Sequence, residues 1–112
     1  MPKSIFIVQS NAVPGREDEY NTWYNDVHLG DITALPGVDA AQRFRFADTQ
    51  RGKDGPYPYE YIAIYELGGD PREVFDGIQH GKENGMVISD AMQTQRIAHL
   101  WLPISERVTP SE

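Results

Sequence analysis

A histidine, two aspartates and three aromatic rings fall together in one stretch, Tyr20-Asn21-Thr22-Trp23-Tyr24-Asn25-Asp26-Val27-His28-Leu29-Gly30-Asp31. An imidazole titrates near about 6.5, so modest changes of environment carry it across neutral pH, and it is the commonest general acid or base. If the stretch is helical, residues three and four apart share a face. Tyr20, Trp23, Tyr24, Val27, His28 and Asp31 then form one stripe, with Asp31 within reach of His28. That pair would perform acid/base chemistry on a phenolic or β-keto substrate, with Arg43 or a tyrosine steadying the developing oxyanion. The plainer alternative is a histidine that caps a helix end or bonds in the core, its contact with Asp31 worth about 0.3 kcal/mol.

The remaining aromatics extend the same choice. Trp23, Tyr24, Phe44, Tyr61, Tyr65, Phe75 and Trp101 would make a pocket wall for a flat ligand, or an ordinary core. His28, His80, His99, Arg43 and Asp31 are more titratable groups than a small domain needs to bury, so at least one is expected to line a cavity. His28 and Asp31 with His80 or His99 could supply nitrogen and oxygen ligands to zinc or iron, but the HExxH type of spacing is missing and no metal site is assigned. Haem would need an axial histidine such as His80. No phosphate loop, dinucleotide fingerprint or nucleophile elbow is present, so chemistry without a cofactor is the default. A protein that only holds its ligand predicts saturable binding of aromatic acids with no product.

Several elements are needed to position these groups. Ile5-Phe6-Ile7-Val8 predicts a first strand over 3–10, ended by Asn11-Ala12-Val13-Pro14-Gly15. Acidic Glu17, Asp18 and Glu19 mark the first turn of a helix over 16–34, which must stop before Pro36. A second strand over 38–46 places Val38, Ala40, Gln42, Phe44 and Phe46 on one face, and Asp39, Ala41, Arg43 and Arg45 on the other. Residues 47–56 read as an exposed, mobile loop. A third strand follows at once, with Tyr57, Tyr59, Tyr61, Ala63 and Tyr65 opposite Ile62 and Ile64. Asp70-Pro71-Arg72-Glu73 is a helix start, with a capping aspartate and proline at the first position. His80-Gly81 reads as that helix's end, and a further helical piece over 83–92 would bury Met86, Val87 and Ala91. The fourth strand spans 96–104, and the polar tail 105–112 frays.

Strand, helix, strand, strand, helix, strand is the split βαβ order of an α+β, ferredoxin-like domain: a four-stranded antiparallel sheet with helices on one face, here one domain over 1–112. Two helices cover one side of the sheet, yet strands one, three and four are apolar on both. A second copy packed sheet to sheet about a two-fold axis would cover the other, which predicts a homodimer.

Composition narrows the partners. A net charge of −7 and a pI near 4.8 disfavour nucleic acid and anionic membranes. No apolar run is long enough for a transmembrane helix, and only four strongly apolar residues follow Ser4, too few for a signal-peptide core. The absence of cysteine excludes disulfides and thiolate chemistry and fits a reducing compartment, so the chain reads as cytoplasmic.

Trp23-Tyr24-Asn25-Asp26-Val27-His28-Leu29-Gly30-Asp31, followed by Leu35-Pro36-Gly37-Val38 and Ala41-Gln42-Arg43-Phe44, resembles the EthD-like branch of the dimeric α+β barrel proteins. Gly30 stands where that family usually has proline. The resemblance implies enzymes that cyclise, dehydrate, isomerise or decarboxylate aromatic and polyketide-like molecules, lyases and isomerases among them. Gly77-Ile78-Gln79-His80-Gly81-Lys82-Glu83 is similar to plant polyketide cyclases of the same superfold. Their acid/base histidine and tyrosine, however, fall at Glu83 and Gly77, so that mechanism does not carry over. Cofactor-independent, quinone-forming monooxygenases use an asparagine and a tryptophan, matched loosely by Asn11, Asn25, Trp23 and Trp101, and are the second expectation.

Overall fold

The β-branched run after Ser4 forms the centre of the sheet. In the computed structural model, which describes residues 3–52, 55 and 57–111, β1 (Ser4–Ser10) pairs antiparallel with both β3 (Tyr61–Leu67) and β4 (Ile97–Trp101). β2 (Val38–Arg45) pairs antiparallel with the far edge of β3, so the order is β2-β3-β1-β4. The fold is the ferredoxin-like α+β arrangement that the element order predicts. Met1, Pro2, Lys53, Asp54, Pro56 and Glu112, assigned above to the chain start, the 47–56 loop and the tail, lie outside the described residues.

Register decides which side chains meet the helices. Phe6, Val8 and Ser10 lie opposite Tyr65, Ala63 and Tyr61, and therefore share one sheet face with them. Both helical segments pack there: Tyr20 meets Tyr61 with ring centroids 5.1 Å apart, and Phe75 meets Phe6 at 5.0 Å. The other face carries Ile5, Ile7, Ile62, Ile64, Phe44 and Trp101. No helix covers it. Phe44 is 44% exposed and Trp101 54%. Phe44 and Trp101 therefore lie on the face turned away from the helices and are no part of a wall between helix and sheet. A register shift between Val38 and Ala40 bulges β2, and Val38 packs against the helix-side core in spite of its place in the alternation.

The first helix runs from Glu17 to Thr33 in three parts: α1 (Glu17–Trp23), a π-helical turn (Tyr24–His28) and α2 (Leu29–Thr33). Its buried residues are Tyr20, Tyr24, His28 and Ile32, each four after the last. In a regular α-helix four residues overshoot one turn by about 40°, so such a series would drift about 120° around the axis and could not all face the sheet. The wider turn, in which the Leu29 N–H donates to the Tyr24 carbonyl five residues back, absorbs that drift. The stripe predicted from regular spacing is corrected accordingly: Val27 is 45% exposed, and Asp31 lies at the half-buried edge. The helix continues unbroken through Gly30.

α3 (Pro71–Glu83) begins as predicted, with Asp70 Oδ1 accepting from the Arg72 N–H at 2.9 Å. Its end differs from the expectation. Gly81 is interior, and the helix stops at Asn84-Gly85, where Gly85 takes φ +110° and the Met86 N–H donates to the Gly81 carbonyl at 2.8 Å. That six-to-one bond with a left-handed glycine is a Schellman stop. The helical piece expected over 83–92 does not form, and Val87, expected to be buried, is 63% exposed. β3 starts at Tyr61 rather than Tyr57, because the preceding segment is held by Asn11 instead: its Nδ2 donates to the Pro58 carbonyl and its Oδ1 accepts from the Glu60 N–H. β4 is shorter than the 96–104 expected, and residues 102–111 are exposed without regular structure.

Candidate functional site

A cavity of about 190 Å³ opens between the helix-facing side of the sheet, the first helix and α3. Phe6, Val8, Ile32, Ile78, Ile88, Met92 and Ala98 give it apolar walls, and Tyr24, Tyr65 and His28 add polar groups. Lys82 and Arg96 complete the lining, and both are exposed to solvent.

His28 reaches the cavity because the π turn carries it inward, and it is 9% exposed. Its ring stacks on Trp23 at 4.7 Å and meets Tyr24 edge-on at 5.1 Å. Trp23 is fixed in turn by its indole N–H, which donates to the Val87 carbonyl at 3.2 Å and so ties the irregular segment after α3 to the first helix. The buried Nδ1 of His28 has no hydrogen-bond partner among the described residues. Burial holds the imidazole pKa down to about 4 from 6.5; Asp31 works against the shift and Arg96 adds to it. At neutral pH His28 is therefore uncharged, with a lone pair available. The ring lines the cavity, while Nδ1 itself is closed off from solvent.

Tyr65 and Tyr24 form a second polar group, with Tyr65 Oη donating to Tyr24 Oη at 3.4 Å. Burial pushes both phenols up, so both remain protonated donors. With the Tyr65 O–H given to Tyr24, the Tyr24 O–H is the one left to donate, and it suits an oxygen that gains negative charge.

Of the residues expected to act together, the structure brings His28, Tyr24 and Tyr65 to one cavity and places the others elsewhere. Asp31 forms no ion pair or hydrogen bond with His28 among the described residues; three residues further along α2, it lies at the half-buried edge of the helix. Arg43 does not line the cavity. Its guanidinium lies 4.3 Å from the Tyr24 ring centroid and donates to Asn25 Oδ1 at 2.7 Å and Asn21 Oδ1 at 3.0 Å. It can bear on the cavity only through the Tyr24 ring. Tyr61 belongs to this Arg43 cluster, 5.4 Å from the guanidinium carbon. Phe75 packs behind Phe6, and Trp23 stands behind His28. His80 is exposed on the last turn of α3, its carbonyl bonded to Asn84 Nδ2 at 2.8 Å. His99 and Trp101 lie on the open sheet face.

Lys82, Arg96, Ile88 and Met92 are cavity residues that sequence reasoning missed. The signal for Arg96 was present, since it is the one Lys or Arg between Glu83 and Glu106. Among the described residues no group of three or more His, Cys, Asp or Glu could hold a metal ion, and no helix is long and apolar enough to cross a membrane.

The sequence matches no protein-family model, and no curated protein matches it. Solved structures do. A candidate monooxygenase from Shewanella loihica aligns with TM-score 0.61 at 14% identity, over 95% of this chain and 99% of that one. The haem degrader MhuD of Mycobacterium tuberculosis, solved with two haems in its active site, aligns with TM-score 0.62 at 13% identity, over 94% and 99%. A dimeric ferredoxin-like protein of Thermobifida fusca aligns with TM-score 0.54 at 15% identity, over 89% and 90%. At these identities the likeness is one of fold.

Proposed function

We propose that the protein is a small-molecule enzyme that binds an aromatic or polyketide-like compound in the His28 cavity and removes a proton from it. The observation that carries this reading is the buried, uncharged imidazole of His28 lining the same cavity as the hydrogen-bonded Tyr24–Tyr65 pair. His28 takes the proton of a phenol or of a carbon between two carbonyls, and the Tyr24 hydroxyl, whose oxygen accepts from Tyr65, donates to the resulting phenolate or enolate. Returning the proton at another atom gives isomerisation, attack of the enolate carbon on a second carbonyl of the same molecule gives cyclisation with the proton delivered to the new alkoxide, and expulsion of a β-hydroxyl as water gives dehydration, which together are the class implied by the EthD-like motif. The monooxygenase name borne by one structural neighbour favours a second outcome, in which the same anion reacts with dioxygen.

A panel of hydroxylated and β-keto aromatics, followed by mass spectrometry of products and by oxygen consumption, tests the proposal and separates the two outcomes. Turnover without oxygen uptake supports the lyase or isomerase reading, and stoichiometric uptake supports the oxygenase. Absence of any turnover or binding across the panel would overturn the enzyme reading. The cavity of about 190 Å³ is near the roughly 150 Å³ that takes one benzene, and falls short of a porphyrin. His80, named above as an example of an axial histidine, is outside it.

We further propose a homodimer through the open sheet face, where Ile5, Ile7, Phe44, Ile62, Ile64 and Trp101 form a continuous apolar surface. Light scattering on the eluting protein is expected to give twice the 12.7 kDa chain mass. Ile64→Lys, which puts a charge at the centre of that face, is expected to give the 12.7 kDa species. A wild-type monomer would sink the dimer.

A further inference from the structure

We infer that the ligand of the His28 cavity is a monocyclic aromatic carboxylate whose acid group sits at the mouth, between Lys82 and Arg96, and whose hydroxyl or keto oxygen reaches the Tyr24 and Tyr65 hydroxyls. This deepens the reading of the cavity as an aromatic site and rests on it.

Three features of the cavity carry the inference. The first is its polarity order: the exposed polar residues of the lining are both cations, the walls are apolar, and the buried polar groups are uncharged donors or acceptors. The second is the scarcity of cations. The chain carries 10 Lys and Arg against 17 Asp and Glu, yet no carboxylate lines this cavity while two cations do. Neither Lys82 nor Arg96 has a salt-bridge partner among the described residues, whereas Arg16 pairs with both Glu19 and Asp90. The third is that the two cations come from separate elements and line the same cavity, Lys82 from the last turn of α3 and Arg96 from the residue before β4. Ridges of one helix or one strand do not account for such a pair.

Size sets the rest of the class. About 190 Å³ accommodates one substituted ring between Phe6, Val8, Ile78 and Met92. A carboxylate fixed at the mouth points the opposite, para substituent inward. The positive charge of Arg96 is also felt by His28, where it helps to keep the imidazole uncharged. A carboxylate on Arg96 offsets that charge and makes His28 a stronger base once the ligand is bound.

Calorimetric titration with 4-hydroxybenzoate and its neutral isostere 4-hydroxybenzamide tests the inference. The carboxylate is expected to bind about tenfold more tightly than the amide. That preference is expected to shrink in about 0.5 M salt, where charges are screened over a few ångströms. It is expected to vanish in Lys82→Met/Arg96→Met and to persist in Arg45→Met/Arg72→Met, which changes net charge equally at exposed sites away from the mouth. Equal affinity for acid and amide overturns the carboxylate assignment and leaves the aromatic site standing. Failure of both compounds to bind overturns the aromatic reading itself. A carboxylate preference that survives the double substitution assigns the anion elsewhere and overturns the roles of Lys82 and Arg96, and a salt-independent preference in the wild type does so without relying on any variant.

Discussion

Between pH 7 and pH 4, unfolding free energy is expected to fall by about 3 kcal/mol through His28 alone. Its folded pKa is held down to about 4 while the unfolded value is 6.5. Between these values the unfolded chain binds a proton that the folded chain refuses. Stability therefore rises with pH across this window: the contribution is complete above about 6.5, is lost as pH falls, and changes no further below about 4. The difference between the two values, at about 1.4 kcal/mol per pH unit, sets the magnitude. Carboxylates titrate at the lower end of the range, so the measurement is a difference. Denaturant unfolding of the wild type and of His28→Leu, at one protomer concentration, should give curves that diverge from pH 6.5 down to pH 4 and run parallel outside it. Parallel curves throughout would show that His28 is not held uncharged by burial.

The second large effect concerns turnover. His28→Ala is expected to lower kcat about a hundredfold or more on any substrate found in the phenol and β-keto panel, while circular dichroism and dimer mass stay unchanged. Removal of a base acts on the transition state more than on binding, so KM should move little. In the wild type the acid limb of kcat/KM should fall near pH 4, where free His28 takes up its proton, rather than near the ordinary imidazole value. Full activity in the alanine variant would move the chemistry to another group.

Much of the scaffold was legible because its signals are repetitive. The β-branched run of β1, the tyrosines alternating along β3 and the Asp70-Pro71 start of α3 each state a period or a cap. The misplaced features depend on single residues. A π turn adds one residue to a helix and leaves no compositional mark. Its trace is the strict four-residue spacing of Tyr20, Tyr24, His28 and Ile32, which a regular stripe obscures because Trp23, Val27 and Asp31 fit it equally well. His80-Gly81 and Asn84-Gly85 both look like helix stops, and only the latter has its glycine in the left-handed region. Mistaking the first for the stop also invented a helix over 83–92 and hid the irregular segment that brings Ile88 and Met92 to the cavity. His28 was singled out for the chemistry of its type; Asp31, expected to orient it, makes no hydrogen bond or ion pair with it among the described residues and acts on it only through its charge. Arg43 was expected to steady an oxyanion, and the tyrosine cluster that holds its guanidinium outside the cavity could not be seen from β2 alone.

The wide turn at Tyr24–His28 also determines where the first helix tolerates a change of length. Loss of one residue anywhere in α1 or α2 would swing everything beyond it by about 100° and carry buried tyrosines or Ile32 into solvent. Loss of one exposed residue inside the wide turn, such as Asp26, would instead close it to ordinary α geometry, with Tyr20 and Ile32 still directed at the sheet. Chains with one residue fewer at this point can therefore keep the same core and the same histidine position, and alignments of such chains belong with the gap inside this turn.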